Sequence, residues 1–298
     1  MGKLKHITHY KAELILGFCA IIWGGSFPLV KIAMPYVSPI FFVFIRFLLV
    51  LFFFRIIFHN KIKEKSFKDI KPGLFLGITL FLGFITQTIG LKYTSASNSA
   101  FITGIYILFI PFIQPLIVKK NPVFANIAGI IVSVIGLYLL TGFTGVDFNI
   151  GDFFSLLCAI AFAFQIVLYD KFAKQTDHVS LLYGQIIVMV FASAVFSVFF
   201  EMILFKDFIF QLNKDVIISL TFNALLASLL ALYLANKYQK YTSPVTAGII
   251  YNSEQVFAVF FAFFILGEVL GFIQYIGGII IISGVLISEF SGEFFKSK

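Results

Sequence analysis

The chain has 298 residues, of which 60% are hydrophobic and 12% charged, and its mean hydropathy is +1.02. A soluble globular protein is nearer half apolar and a quarter charged, so an ordinary soluble enzyme is excluded, and ten bilayer spans of about 20 residues leave no room for a separate soluble domain. The net charge of +8 does not imply nucleic acid, because Lys and Arg cluster in short segments between apolar runs, as they do in cytoplasmic loops.

In chain order, apolar runs bounded by charges, Pro and Gly predict spans at about 12–34, 39–58, 72–91, 96–118, 122–141, 151–169, 179–204, 215–236, 244–266 and 273–290. The first run follows Lys3, Lys5 and Lys11 and has no small-residue cleavage site, so it is expected to be a retained helix and not a removed signal. With a cytoplasmic amino terminus, the outside connections carry only Lys31, Lys92, Lys206 and Lys214, Arg46 lies within a span, and every other Lys and Arg falls inside. The expectation is an all-α polytopic protein of the cell membrane, with ten transmembrane helices and both termini cytoplasmic. Cys19 and Cys158 both sit in apolar runs, which predicts no disulfide framework; no metal site and no cofactor are expected.

Lys92-Tyr93-Thr94-Ser95 recurs 148 residues later as Lys240-Tyr241-Thr242-Ser243, and Phe109, Phe112, Gly129 and Gly136 meet Phe257, Phe260, Gly277 and Gly284 at the same offset. Nearer the front of each half the offset is 139, from Cys19-Ala20-Ile21 to Cys158-Ala159-Ile160. The difference fits a longer connection around Phe205 to Lys214. Two repeats follow, 12–141 (helices 1–5) and 151–290 (helices 6–10). Five is an odd number, so the halves insert with opposite orientation, and in such inverted repeats the ligand site lies near the midplane where the halves meet.

Trp23-Gly24-Gly25-Ser26-Phe27-Pro28, Lys31 and Arg46-Phe47 resemble the opening of the EamA family of the drug/metabolite transporter superfamily. Asn98-Ser99-Ala100-Phe101-Ile102-Thr103-Gly104 through Pro111 resembles its fourth helix, and Ser253-Glu254-Gln255 through Leu266-Gly267-Glu268 its ninth helix and the turn after it. Gln255 stands where many relatives have Pro, and Lys119-Lys120-Asn121 replaces an acidic turn. The resemblance implies ten helices in two inverted repeats, and export or exchange of small metabolites, often amino acids or related compounds. It leaves the substrate open.

Charge is costly in hydrocarbon, so an ionisable group there is a functional candidate. Glu254 sits about 15 Å into its span, near the midplane. It suits a proton- or cation-linked step or a substrate amine; a structural ion pair or hydrogen bond serves equally. Arg46 has three readings: snorkelling outward, pairing with Glu254, or holding a substrate carboxylate through its fork. Gln185 is its repeat equivalent. Ser99, Thr103, Tyr106 and Gln114 share one face of the fourth span, and the repeat partners of Thr103 and Tyr106 are Tyr251 and Glu254. These two stripes suit either a central cavity or polar contacts between helices. Gln87, Gln165, Tyr169 and Asn223 are secondary candidates. Trp23 precedes Gly24-Gly25 and Pro28, which either kink the helix or mark a close crossing. The candidate substrate site is Trp23, Arg46, Gln87, Thr103, Tyr106, Gln165, Tyr251 and Glu254, with Glu254 as the candidate for proton coupling.

An intramembrane enzyme would need paired carboxylates, a Ser–His set or metal ligands within the spans, but all four histidines lie in tails or connections. A scaffold subunit predicts no polar stripes at mid-depth. The preferred reading is therefore a secondary transporter, and not an enzyme, exporting amino-acid-like or drug-like compounds by alternating access. Its expected partners are the lipid bilayer and a small-molecule substrate but no nucleic acid, and a homodimer is left open.

Overall fold

A computed structural model describes residues 2–141, 149–267 and 271–294, almost all of them helical. Eight helices are long and apolar enough to cross a membrane, and Phe124–Leu139 and Tyr275–Ile287 are shorter apolar stretches. In chain order the helices are α1 (Gly2–Ala33), α2 (Pro39–Ile57), α3 (Phe67–Tyr93), α4 (Ala96–Val118), α5 (Phe124–Thr141), α6 (Ile150–Ala173), α7 (His178–Leu204), α8 (Lys214–Tyr241), α9 (Pro244–Leu266) and α10 (Phe272–Phe294). A short helix, His59–Lys63, lies between α2 and α3. Glu268, in the turn singled out by the sequence motif, lies outside the described residues.

Several ends run past the apolar pattern, because caps and not hydropathy set them. α3 starts at Phe67, where the Asp69 carboxylate accepts from the Ser66 amide at 2.8 Å. At its far end the Lys31 ammonium donates to the carbonyls of Leu91 (2.7 Å) and Thr94 (2.6 Å), supplying the positive charge a helix C-terminus favours. α6 starts on an Asn149–Asp152 capping box and runs on to Ala173.

Four helices expected to be continuous are irregular. α4 breaks at Ile105 and α9 at Ser253, positions related by the 148-residue repeat. α7 and α8 widen into π-helical turns over Ser197–Leu204 and Phe222–Leu230. Such turns insert a residue and rotate everything after them, and they recur at functional sites.

The packing places both halves around one centre. α1 packs on α8 and α9, and correspondingly α6 packs on α3 and α4; α2 packs on α8 as α3 does on α7. The pairs α2–α7, α4–α9 and α5–α10 are each their own counterpart. α5 and α10 meet at their glycines: a Cβ on Gly136 would lie 2.6 Å from the Ile281 amide nitrogen and 2.7 Å from the Gly277 carbonyl oxygen. One on Gly24 would lie 2.8 Å from both the Ala258 amide nitrogen and the Glu254 carbonyl oxygen. α1 runs unbroken through Pro28, so Gly24 marks a close crossing of α1 over α9 and not a kink. Cys19 and Cys158 are free and buried.

Candidate functional site

At this centre lies a cavity of about 100 Å³. A single water needs roughly 10–15 Å³ measured in the same way, so several waters or a small organic molecule fit. Trp23 and Ser26 reach it from α1, Arg46 from α2, Leu80, Phe84 and Gln87 from α3, and Tyr106 from α4. Gln165 and Tyr169 of α6, Asn236 and Gln239 of α8, and Tyr251 and Glu254 of α9 complete it from the other half.

One wall is an amide chain. Thr79 Oγ1 donates to Gln165 Oε1 at 2.5 Å, Gln165 Nε2 to Gln185 Oε1 at 2.9 Å, and Gln185 Nε2 to Asn236 Oδ1 at 2.8 Å. The Tyr169 hydroxyl donates to the Asn236 carbonyl. Gln239 Nε2 donates to the Ile166 carbonyl at 2.9 Å, and its Oε1 accepts from the Tyr251 hydroxyl at 3.2 Å. Each amide both gives and receives, which fixes its orientation and leaves a rigid polar surface. Trp23 is anchored by its Nε1, which donates to the Ala227 carbonyl at 2.9 Å, and sits edge-on to Tyr251 at 5.0 Å between ring centres.

The two charged groups are not paired. Arg46, 2% exposed, donates from Nε to Ser228 Oγ at 2.7 Å and lays its guanidinium 4.6 Å from the centre of the Phe84 ring. Glu254, 7% exposed, accepts from Gln255 Nε2 at 3.0 Å. No ion pair joins either of them to an opposite charge among the described residues. The Arg46–Glu254 bridge considered from sequence is therefore not formed. Desolvated charges without partners are costly, and here both border one cavity.

Of the eight residues picked from sequence, Trp23, Arg46, Gln87, Tyr106, Gln165, Tyr251 and Glu254 line the cavity, whereas Thr103 does not. The Thr103 hydroxyl donates to Cys158 Sγ at 3.9 Å, against α6. The rest of its stripe divides likewise: Ser99 accepts from Ser155 Oγ at 3.0 Å and Gln114 donates to the Lys120 carbonyl at 3.0 Å, so both join helices or close an end. Asn223 accepts from Ser26 Oγ at 2.5 Å. Asn236, Gln239 and Ser228 were missed. The first two follow Leu232 and Ala235 at helical spacing, a signal hidden because the hydropathy pattern ends the span at 236. Ser228 lies in the wide turn of α8, which shifts the phase of the helix. Among the described residues no three His, Cys, Asp or Glu side chains cluster as metal ligands.

Stacked apolar helices around a central cavity define a multi-pass membrane protein. The chain belongs to the EamA-like transporter family, whose sequence model matches residues 11–142 and again residues 149–290. An uncharacterized transporter of Archaeoglobus fulgidus is 35% identical over 286 residues, covering 96% of this chain and 88% of its own. A second from the same organism is 26% identical, covering 93% and 97%. YvbV, an uncharacterized transporter of Bacillus subtilis, is 28% identical over 59% of each chain. A protein solved by crystallography superposes with a TM-score of 0.77 over 96% of this chain and 99% of its own at 15% identity, a likeness of fold alone. Family and relatives together mark the chain as a membrane transporter.

Proposed function

We propose that the protein is a secondary transporter of the cell membrane that exports small amino-acid-like or drug-like metabolites by alternating access. Ten helices cross the bilayer as two oppositely oriented five-helix repeats, with both termini cytoplasmic. The packing pattern, in which the main helix contacts have counterparts in the other half, and the bias of Lys and Arg toward one set of connections support this layout. The observation that carries the mechanism is the cavity shared by both halves, with Arg46 and Glu254 on its wall and no bond between them.

The proposed substrate set is Trp23, Arg46, Gln87, Tyr106, Gln165, Tyr251 and Glu254, with Thr103 one turn behind Tyr106. Arg46 takes an anionic group through its fork, the amide chain orients it, and the aromatic rings cover its apolar part. Glu254 binds a proton or cation in one orientation and gives it up in the other. Rocking of one half against the other then exposes the cavity to each side in turn.

In proteoliposomes, Glu254→Gln should abolish the pH dependence of transport while substrate binding persists; unchanged pH dependence would remove the coupling role. The substrate class is found by comparing metabolites in the medium of cells with and without the gene. An exporter enriches its substrate outside, and depletion there would reverse the direction.

A further inference from the structure

The breaks in α4 and α9 fall at Ile105 and Ser253, and the residues just before them, Gly104 and Asn252, are repeat counterparts that touch. A Cβ on Gly104 would lie 2.8 Å from Asn252 Oδ1 and 3.1 Å from Gln255 Cγ. Glycine on one side of the crossing thus makes room for two polar side chains on the other. Asn252 and Gln255 stand three residues apart, on one face of α9 beside the face that carries Tyr251 and Glu254 to the cavity.

These side chains are unusual in their bonding. Both are 0% exposed, and Asn252 Oδ1, Asn252 Nδ2 and Gln255 Oε1 have no hydrogen-bond partner among the described residues. A buried polar atom without a partner is costly, more so in lipid, and calls for a ligand. Gln255 turns its Nε2 to the Glu254 carboxylate at 3.0 Å and its oxygen away. Two unsatisfied amide oxygens and a carboxylate thus fall within four residues of one another at the turn in α9, and no ion pair joins that carboxylate to a basic group among the described residues. At Ser253 the helix tightens, its amide donating to the Ile250 carbonyl at 3.1 Å, and a tightened turn inside a helix often marks a functional point.

We propose that the break in α9 is a site for a monovalent cation of sodium size, held by Asn252 Oδ1 and Gln255 Oε1 with Glu254 as its counter-charge. Oxygen donors select a hard cation. A single carboxylate balances a single charge, which disfavours calcium and magnesium. Water would satisfy the amides and a proton would neutralise the carboxylate, so a response specific to sodium is what separates a cation site from a hydrated, protonated one. The site deepens the reading of Glu254 as the coupling group, because sodium and a proton compete for it. The titratable groups around Glu254 are Tyr106, Tyr251 and Cys158, with Arg46 on the same cavity wall.

Trp23 is the only tryptophan and sits edge-on to Tyr251, three residues from Glu254, so its fluorescence reports the site without any substrate. The purified full-length protein in detergent is titrated with NaCl against choline chloride at constant ionic strength. A saturable change in Trp23 emission, with a melting temperature that rises with sodium, is expected. Gln255→Met and Asn252→Ala should lose both responses while melting cooperatively in choline; Gln255→Met keeps the length of the side chain should Asn252→Ala not fold. No sodium-specific change in the natural protein, a change retained in Gln255→Met, or a response to pH alone would overturn the proposal. Transport that continues unaltered in sodium-free vesicles would overturn it too, yet leave the carrier reading standing. Absence of transport in every medium would count against the carrier while fluorescence still judged the site.

Discussion

Arg46 is the most expensive side chain in the molecule to bury, and its surroundings offset that cost in a particular way. One nitrogen donates to Ser228 and the flat face of the guanidinium lies over Phe84, a stacked arrangement that an ammonium cannot reproduce. Arg46→Lys keeps the charge and loses both the plane and the fixed fork. Hydrogen bonds to charged groups are worth about 1.5–3 kcal/mol, so transport by Arg46→Lys should fall roughly ten- to a hundred-fold in vesicles, and Ser228→Ala should fall less. Transport by Arg46→Lys near the natural level would show that only the charge matters. Arg46 and Glu254 stand out as candidates in the sequence because a charge within an apolar run is conspicuous. Their environment was not visible. The hydroxyl that takes Arg46 sits in a π-helical turn of α8, and no 3.6-residue periodicity predicts which way a residue in such a turn faces.

Among the elements, the connection from α7 to α8 breaks the symmetry of the repeats, and it does so with a purpose visible in its bonds. Val37 and Phe210 form an isolated antiparallel bridge, flanked by Ser38 N to the Ile209 carbonyl (2.9 Å) and Gln211 N to the Tyr36 carbonyl (2.8 Å). Ser38 is placed to cap α2, but its hydroxyl is diverted to this strap, accepting from the Ile209 amide at 2.8 Å. Glu201 takes over the capping from the end of α7, accepting from the Ile40 amide at 2.7 Å and the Phe41 amide at 3.0 Å. A carboxylate at a helix N-terminus also meets the positive end of the helix dipole. The strap therefore ties the start of α2 in one half to the end of α7 in the other. Glu201→Ala should lower stability by about 1–2 kcal/mol, read as a lower melting temperature in detergent. Val37 and Phe210 face each other without direct hydrogen bonds, a pairing with a Cα separation of about 4.5 Å that accepts a disulfide. The double variant Val37→Cys, Phe210→Cys should cross-link on oxidation and go on transporting, because this contact is expected to stay closed as the halves rock about it. Arrest on oxidation, reversed by reductant, would show instead that this contact opens in each cycle. The sequence located the insertion through the change in repeat offset. It gave no sign of the bridge, which joins residues 173 positions apart.

At the scale of the whole molecule, the two ends are distinguished by ion pairs that cross between halves. Lys65 Nζ lies 2.7 Å from Asp177 Oδ2, which joins the α2–α3 and α6–α7 connections at one end of the bundle. Lys92 Nζ lies 3.4 Å from Asp207 Oδ2, which joins the last turn of α3 to the α7–α8 connection at the other. Burial alone would raise the Asp177 carboxyl, but hydrogen bonds from Lys65 and Ser180 outweigh it and hold it at about 2. A depressed carboxyl contributes above its ordinary value near 4 and is lost only as pH falls toward 2, so this link stays charged in any cell. Both partners are partly exposed, so the pair identifies an end and does little to stabilise it. α3 runs from the first of these ends to the second. The charge bias predicts which end is which: the 58–66 and 174–177 connections hold Lys61, Lys63, Lys65 and Lys174, whereas 205–213 holds only Lys206. Reporter domains fused within 58–66 and within 174–177 should be active on the cytoplasmic side, and one fused within 205–213 only on the outside. The two inner fusions come from opposite halves and from loops at different places in each repeat, so their agreement tests the mirrored insertion itself. If a fusion within 205–213 shared a side with one within 58–66, α3 would not cross the bilayer, and no cavity between its middle and α8 could open to both sides in turn.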